Sequence, residues 1–177
     1  VIHYVDLEAA EVKVKASAAL SKALQQDSDI LPGVYEGGLK IWECSLDLVE
    51  YLAASKVEFK GLKVLELGCG VGVPGLYALK HGAEAHFQDY NCEILDTVTA
   101  PSALLNLPEH CESILEANCR FYAGDWDYLC DNLSHQKFDL ILTAETIYRP
   151  ENYQKLHRVF NELLKPNGSV YLAAKTY

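Results

Sequence analysis

A glycine-rich stretch in the middle of the chain, VLELGCGVGVPGLYAL (residues 64–79), has the residue types that bind a small ligand. An apolar run ends at Gly68, and a helical pattern begins near Pro74. A glycine turn between a strand and a helix lets the backbone approach a ligand closely and offers the N–H groups of the helix N-terminus. Asp89 follows about 20 residues later, where an acid can bind a ribose diol. The spacing therefore predicts a site for an adenosine-containing cofactor.

The glycines can be counted in two ways, and each count indicates a different chemistry. Gly70, Gly72 and Gly75 fit G-x-G-x-x-G, the dinucleotide fingerprint, which implies hydride transfer. Counting from Glu66 gives E-x-G-x-G-x-G, with glycines at 68, 70 and 72, a pattern typical of S-adenosylmethionine-dependent methyl transfer. A carboxylate there would repel a pyrophosphate but is compatible with a sulfonium and an amino group. We favour the second count, which makes Gly75 a small residue within the helix packing. Dinucleotide binding and a purely structural turn remain alternatives.

Strands and helices alternate from Lys63 onward, which predicts a parallel α/β sheet with right-handed crossovers. The predicted strands are KVLELG, AEAHFQD, CRFYAGDW, FDLILTAE and SVYLAAKTY. Helices are predicted at residues 46–55, 74–81, 91–107 (kinked or broken at Pro101) and 151–165, with a KPNG turn before the last strand. Ligands of such sheets bind at the carboxyl ends of the strands, where Asp89, Asp125 and Glu145 meet the glycine turn.

The N-terminal part of the chain is expected to add strands and a loop to this core. The segment VIHYVDLEAAEVKVKAS alternates apolar and polar residues in two short runs, which predicts one or two strands, arranged as a hairpin. Residues 31–45, LPGVYEGGLKIWECS, contain a proline and three glycines and should form a loop. We therefore divide a single domain into residues 1–45, N-terminal strands and a cofactor-covering loop, and residues 46–177, the S-adenosylmethionine-binding core.

Composition narrows the classes of function. The net charge of -10 is a poor match for a phosphate backbone, whose binding depends on Lys and Arg, and suits a small molecule or a basic protein. No apolar run reaches the roughly 18 residues that would span a bilayer, and no signal peptide is visible. The six cysteines show no C-x-x-C pair and no zinc-ligand spacing to a histidine, so we expect reduced, mostly buried thiols and no metal.

Several segments, taken together, resemble a known family. The glycine stretch, HFQDYN, AGDW, FDLILTAETIY and LLKPNGSVYLAAK are similar to the seven-strand, class I S-adenosylmethionine-dependent methyltransferases. The G-x-x-[LIV]-W segment upstream and the acid-x-x-Tyr after strand four resemble the protein methyltransferases of the lysine and histidine type. PGVYEGGLKIWEC, HFQDYN and LTAETIY are most similar to the histidine protein methyltransferases that modify a large-subunit ribosomal protein. The resemblance covers residues 31–177 and implies a doubly wound, mostly parallel Rossmann-like sheet.

The resemblance also implies strands that this sequence does not contain. The family fold closes with a reversed hairpin, strands six and seven, after strand five. A sequence ending at Tyr177 would leave strand five as an apolar edge, which is a liability for a folded protein. We expect either that strands six and seven are missing or that the N-terminal strands cover this edge. The connection before strand three is also short, around residues 108–111.

The cofactor implied by the resemblance is S-adenosylmethionine, with S-adenosylhomocysteine as the product. Gly68 and Gly70 would line its methionine half, and Asp89 would hold the ribose hydroxyls. The full set of cofactor-binding candidates is Ile41, Trp42, Glu43, Cys44, Ser45, Glu66, Gly68, Gly70, Gln88, Asp89, Tyr90, Asn91, Gly124, Asp125, Trp126 and Ala144. Structural roles remain open: core packing for the tryptophans, helix capping for Asp89 and Asn91, and a solvated loop acid at Glu43.

Glu145 and Tyr148, the acid-x-x-Tyr pair, would be the catalytic, substrate-facing residues; helix capping by Glu145 and packing by Tyr148 are the alternatives. The implied reaction is in-line displacement at the methyl group by a nitrogen lone pair, served by positioning and solvent exclusion. A target histidine, with a pKa of about 6.5, needs only an acceptor for its other ring N–H. A target lysine, at about 10.4, must first lose a proton. The residues leave both open, and the resemblance favours histidine.

The partners implied by the resemblance are a basic protein substrate, a large-subunit ribosomal protein, and no nucleic acid or membrane. The enzyme would be a monomer in the cytosol and the nucleus or nucleolus. A lysine protein methyltransferase of the same fold and a non-catalytic, ribosome-associated factor that keeps the fold are the alternatives. A nucleic-acid methyltransferase is disfavoured, because AETIY (residues 144–148) lacks an Asn/Asp-Pro-Pro-aromatic motif.

Overall fold

The computed structural model describes residues 1–15, 30–31, 33–107 and 118–176. Its centre is a five-stranded parallel sheet in the order β3-β2-β1-β4-β5. The strands are β1 (Lys63–Leu67), β2 (Glu84–Asp89), β3 (Cys119–Ala123), β4 (Phe138–Ala144) and β5 (Leu164–Ala173). The strand order reverses between β1 and β4, the switch point at which doubly wound sheets bind ligands. The predicted doubly wound, Rossmann-like sheet is confirmed.

Helices pack on both faces of the sheet. They are α1 (Leu7–Lys15), α2 (Glu43–Ala54), α3 (Val73–Lys80), α4 (Cys92–Ile94), α5 (Ala100–Leu105), α6 (Trp126–Leu133) and α7 (Tyr153–Leu163). A π-helical turn, Leu95–Thr99, joins α4 to α5, and a 3-10 turn, Pro150–Asn152, precedes α7. The π-helical turn lies directly before Pro101, where a kink was predicted, because proline has no N–H with which to continue the regular ladder.

The side chains of β1 alternate between the two helical layers. Leu65 and Leu67 belong to the cluster formed with α6 and α7, whereas Val64 packs with α2 and with Ala78 of α3. Each residue of the strand after Lys63 is buried, as expected for a parallel strand covered on both faces. The glycine turn therefore begins from a rigid, covered strand.

The N-terminal segment is helical, so the prediction of strands there is wrong. Asp6 begins α1 by accepting a hydrogen bond from the Glu8 N–H at 3.0 Å. Ala10 and Val14, four residues apart, are buried beside the π-helical turn. A side-chain cap and a single apolar helical stripe outweigh the two-residue alternation. This helix packs beside the π-helical turn, so residues 1–15 do not supply the N-terminal strands that were one of the two expectations for the edge of β5.

Helix α6 was not assigned from the sequence. Asp125 caps it by accepting a hydrogen bond from the Asp127 N–H at 2.9 Å. Its inner face is buried against α7, and Arg158 of α7 contacts Asp131 Oδ1 at 2.6 Å. Eight residues give only two helical turns, which is too short a stretch for the apolar period to be distinctive. The first residue of α6, Trp126, donates its indole N–H to Gln88 Oε1 at 2.8 Å, and the same oxygen accepts from the Gly68 N–H of the glycine turn.

The starts of one helix and one strand differ from the predicted positions. Helix α2 begins at Glu43 and not at residue 46, so Cys44 and Ser45 lie in its first turn. Strand β5 begins at Leu164, and the KPNG turn is an irregularity in its pairing with β4. The predicted short connection at residues 108–111 lies outside the described residues.

Two further findings concern the described part of the chain. The five cysteines within it are free thiols, four of them buried. None of its helices combines the length and the apolar character needed to cross a membrane.

Candidate functional site

A cavity of about 540 Å³ opens at the carboxyl ends of the strands, beside the switch point between β1 and β4. It is lined by the glycine turn, the residues that follow β2, β3 and β4, and a segment of residues 33–42, here called the covering loop. The volume falls within the range of roughly 300–1,000 Å³ that is typical of small-molecule sites.

The glycine turn requires glycine for two physical reasons. Gly68, Gly70 and Gly72 all have positive φ, at 58°, 49° and 84°, a region that disfavours other residues. In addition, a Cβ on Gly70 would lie 3.0 Å from the carbonyl oxygen of Gly38. The absence of a side chain at Gly70 therefore lets the covering loop close over the turn. Because β1 ends at Leu67, the turn begins at Gly68, as the second glycine count requires.

Glu66 lies beneath the turn and does not line the cavity. Its Oε2 accepts a hydrogen bond from the Gly75 N–H at 2.7 Å, in the first turn of α3. Burial raises the pKa of this carboxyl well above its usual range, with a smaller contribution from Asp89. A Cβ on Gly75 would lie 2.5 Å from both Glu66 Oε2 and the Phe87 ring, so the packing role predicted for this glycine is confirmed. Glu66 supports the turn from below, and the argument that it would repel a pyrophosphate has no basis in this geometry.

Gln88 connects the exits of three strands. Its Oε1 accepts hydrogen bonds from the Gly68 N–H at 3.2 Å and from the Trp126 indole N–H at 2.8 Å. Its Nε2 donates to the Gly124 carbonyl at 2.7 Å. Because both ends of the buried amide are engaged, Gln88 positions the glycine turn and the Trp126 ring at the cavity wall.

Asp89 ends β2 and faces the cavity while holding the backbone of two loops. Its Oδ2 accepts from the Gly70 N–H at 2.9 Å, and its Oδ1 accepts from the Asn91 N–H at 3.0 Å. Burial raises the pKa of Asp89 to about 6, and these backbone hydrogen bonds oppose the increase. An ionised carboxylate has about four acceptor positions, so it retains capacity for the hydroxyl groups of a ligand.

The covering loop is held by residues of the β2 exit. Asn91 donates to the Val34 carbonyl at 2.7 Å and accepts from the Glu36 N–H at 3.3 Å. The Tyr90 hydroxyl donates to the Gly33 carbonyl at 3.1 Å. Asn91, predicted to bind the cofactor, does not line the cavity and instead fastens the loop above it.

The IWECS segment divides between the cavity and its surroundings. Ile41, Trp42 and Ser45 line the cavity. The Glu43 side chain is exposed and pairs with Lys175 at 2.8 Å, a contact that lowers the pKa of the carboxyl. Glu43 is therefore a solvated surface acid, which was the alternative to cofactor binding. Cys44 lies behind the cavity wall.

The segment after β4 brings the predicted catalytic pair to the cavity. Glu145 has a φ of 55°, its backbone N–H donates to the Ala173 carbonyl at 2.9 Å, and its Oε1 accepts from the Cys44 thiol at 2.8 Å. Burial, followed by the Glu145 carboxylate, raises the pKa of that thiol to about 11. Tyr148 donates its hydroxyl proton to Glu36 Oε2. The acid bonded to the tyrosine thus comes from the covering loop and not from the acid-x-x-Tyr motif.

The cavity gathers most of the predicted site residues. Those that line it are Ile41, Trp42, Ser45, Gly68, Gly70, Gln88, Asp89, Tyr90, Gly124, Asp125, Trp126, Ala144, Glu145 and Tyr148. The four that do not are Glu43, Cys44, Glu66 and Asn91. Lining residues that the sequence analysis missed include Glu36, Lys40, Thr146, Arg149 and Asn152. The sequence did indicate Glu36. It is an acid within the glycine-rich segment VYEGG, and such a loop can place a carboxylate against a ligand.

Comparison with known proteins agrees with this geometry. A sequence profile for a family described as lysine methyltransferases matches residues 21–177. The chain belongs to this methyltransferase family. A relative from Bos taurus, the histidine protein methyltransferase 1 homolog, is 45% identical to this chain over 181 residues, which cover 89% of the chain and 48% of that protein. The homolog of the same name from Dictyostelium discoideum is 42% identical over 154 residues, covering 87% and 48%.

The chain spans about half the length of the curated relatives that it matches. Among solved structures, a SAM-dependent methyltransferase from Agrobacterium tumefaciens superimposes with a TM-score of 0.56 at 19% identity, covering 77% of this chain and 46% of that one. At that identity the likeness establishes the shared fold alone.

Proposed function

We propose that this methyltransferase transfers a methyl group from S-adenosylmethionine to a histidine of a protein substrate. The observation that carries the proposal is that a single cavity joins two different halves. The glycine turn and Asp89 form a half suited to a nucleoside, and Ala144, Glu145 and Tyr148 form a half suited to a polar side chain. The names and the 42–45% identity of the curated relatives support the same reaction.

The residues of the first half fit S-adenosylmethionine. Gly68 and Gly70 line the cavity at the turn, where the methionine portion can lie along the backbone. Asp89 has acceptor positions for the ribose hydroxyls, and the Trp126 ring at the start of α6 offers a face for the adenine. When bound, the cofactor supplies an electrophilic methyl group. The covering loop then excludes water from the reacting atoms.

The residues of the second half suit a neutral nitrogen nucleophile. Ala144 ends β4 with a small side chain, which leaves room beside the cofactor's methyl group. Burial, together with Glu36, raises the pKa of Tyr148 above its usual value, so its phenol stays protonated at neutral pH and does not act as a base. A histidine needs no such base, since its ring has a reference pKa of about 6.5 and is mostly neutral at pH 7.

A lysine target is the second candidate, and the description of the matching family favours it. A lysine ammonium, at about 10.4, must lose a proton before it attacks. Glu145, the acid of the acid-x-x-Tyr motif, accepts a hydrogen bond from the Cys44 thiol, whose proton is itself firmly held. This arrangement favours histidine over lysine as the target of the same site.

A basic protein of the large ribosomal subunit is the substrate that we propose, in the cytosol and the nucleolus, with the enzyme acting as a monomer. The net charge of -10 supports a basic partner, since opposite charges accelerate and orient association. Nucleic acid is a poor match for the same reason.

The test is to incubate the full chain with isotope-labelled S-adenosylmethionine and extracted ribosomal proteins, and to map the label by mass spectrometry. We expect label on a histidine of one large-subunit protein. Label on a lysine would replace the histidine proposal by the second candidate. Calorimetric titration with S-adenosylhomocysteine checks the cofactor separately, and an absence of binding would contradict any methyltransferase activity.

A further inference from the structure

Glu36 lies where the covering loop meets the segment after β4. Its Oε1 accepts hydrogen bonds from the Gly33 N–H at 2.8 Å and from Arg149 Nη1 at 3.4 Å. Its Oε2 accepts the hydroxyl proton of Tyr148. The Glu36 side chain is only 18% exposed, and Glu36, Tyr148 and Arg149 all line the cavity. The carboxylate therefore joins a loop of the N-terminal segment to the predicted catalytic tyrosine.

The direction of the bond from Tyr148 to Glu36 determines what the phenol can do. A tyrosine hydroxyl has one proton to donate and two lone pairs that accept. An ionised carboxylate can only accept hydrogen bonds, so the Tyr148 hydroxyl must use its one proton in the bond to Glu36. Burial and the Glu36 charge both raise the pKa of Tyr148, which keeps that proton in place across the physiological range. Toward the cavity, the phenolic oxygen is consequently an acceptor.

An acceptor at this position suits one form of a target imidazole. The ring attacks through the lone pair of one nitrogen while the other nitrogen carries N–H. A phenol free to rotate could donate its own proton to the attacking nitrogen and occupy the lone pair that the reaction needs. With its proton held by Glu36, Tyr148 can bind only the N–H side of the ring. The ring is then left with its lone pair toward the methyl group.

We propose that Glu36 is a positioning residue, which fixes Tyr148 as the hydrogen-bond acceptor for the N–H of the target imidazole. The proposal rests on the proposed histidine methylation. The other acid of this region, Glu145, accepts a hydrogen bond from the Cys44 thiol at 2.8 Å. The competing interpretation is that Glu36 only fastens the covering loop through Gly33 and Arg149.

Kinetics of four forms of the full chain separate the two interpretations: wild type, Glu36→Gln, Tyr148→Phe and the double variant. We expect Glu36→Gln to lower kcat by about 10- to 100-fold, with S-adenosylhomocysteine affinity within about twofold of wild type. The double variant should be no slower than Tyr148→Phe alone, since Glu36 acts through Tyr148. Activity of Glu36→Gln within twofold of wild type, or losses that multiply in the double variant, would overturn the proposal.

Glu151→Gln is the matched control, because Glu151 is the other carboxylate bonded to Arg149, at 2.8 Å, and does not line the cavity. It should leave kcat unchanged. If Glu36→Gln does not fold, Glu36→Asp keeps the charge but withdraws the carboxylate by one methylene from Tyr148, and we expect the same loss of kcat. Wild-type kcat in Glu36→Asp would contradict the proposal.

A readout without turnover distinguishes failure of this proposal from failure of the proposed function. In the full chain labelled with ¹³Cζ-tyrosine and saturated with S-adenosylhomocysteine, the Tyr148 resonance is assigned with Tyr148→Phe. We expect imidazole at pH 8.5 to shift this resonance in wild type, and 1-methylimidazole, which has no N–H, to leave it in place. In Glu36→Gln both compounds should act alike. Equal responses in wild type would refute the role of Glu36, whereas a wild-type enzyme that modifies no histidine would refute the proposed function.

Discussion

The backbone N–H of Gly70 donates a hydrogen bond to Asp89 Oδ2 at 2.9 Å, so the acid that ends β2 also holds the glycine turn that follows β1. The same carboxylate faces the cavity, where a ribose is expected. Asp89 thus holds the backbone of two loops, and we propose that the same carboxylate also binds the ribose. The combination makes its substitution informative.

Asp89→Ala should weaken S-adenosylhomocysteine binding by about 1–3 kcal/mol, because it removes the ribose acceptor and loosens the glycine turn. Isothermal titration calorimetry measures the change. Asp96→Asn is the matched control, since Asp96 is an exposed acid on the π-helical turn that follows α4. An affinity that survives Asp89→Ala would remove this residue from the site.

Cofactor binding should depend on pH through the same carboxyl, whose pKa burial raises to about 6. Below that pH Asp89 is protonated and loses acceptor capacity, so S-adenosylhomocysteine affinity should fall as the pH drops from 7 to 5. In Asp89→Asn the affinity should stay flat over this range. Fluorescence or calorimetric titrations at several pH values test this, and a wild-type affinity that does not change would contradict it.

Glu66→Gln should alter stability and leave cofactor binding unchanged. The pKa of Glu66 is higher in the folded than in the unfolded state, so its contribution to stability is complete below about pH 4.3 and is lost as the pH rises toward the folded pKa. The wild type should therefore lose stability from Glu66 as the pH rises above this value, a dependence absent in the glutamine variant. Urea unfolding at several pH values above about 4.3 measures the difference. A tenfold loss of S-adenosylhomocysteine affinity would instead show that Glu66 reaches the ligand.

Gly70→Ala should abolish cofactor binding while it destabilises the fold only modestly. Its Cβ would meet the Gly38 carbonyl at 3.0 Å and would displace the covering loop. Gly61→Ala is a control with matched backbone strain, since Gly61 has a φ of 76° and open space around its Cβ position. Both variants should lose about 1 kcal/mol in thermal or urea unfolding, and only Gly70→Ala should lose binding. Normal binding by Gly70→Ala would show that the loop need not close on the turn.

Asp125→Ala should destabilise the protein by about 1 kcal/mol, because it removes the N-cap of α6. Asp125→Asn should retain most of that stability, since an asparagine side chain can accept the same bond from the Asp127 N–H. The difference is measured by urea unfolding without ligand. Equal losses in the two variants would point instead to the ion pair between Asp125 and Lys155 at 2.6 Å.

Local patterns in the sequence were sufficient for the sheet and for the position of the site. The largely apolar runs of β1 and β4 are buried on both faces, and this makes them recognisable without any knowledge of their neighbours. The glycine turn could also be predicted from the sequence, because a positive φ favours glycine at each of its positions. The sequence analysis failed for α1 and α6. Over so few turns, the helical period of apolar residues is not distinct from other patterns.

The sequence by itself determined the alternation of strands and helices, the glycine turn and the acid at Asp89, since each depends on residues close together in the chain. Only the tertiary structure decided that Glu66 lies beneath the turn, that Gln88 joins three strand exits and that Tyr148 donates to Glu36. Each of these contacts depends on packing between separate elements; Tyr148 and Glu36, for example, lie 112 residues apart. Side-chain direction and burial, which decide whether a carboxyl faces a ligand or supports a loop, follow from that packing and not from spacing along the chain.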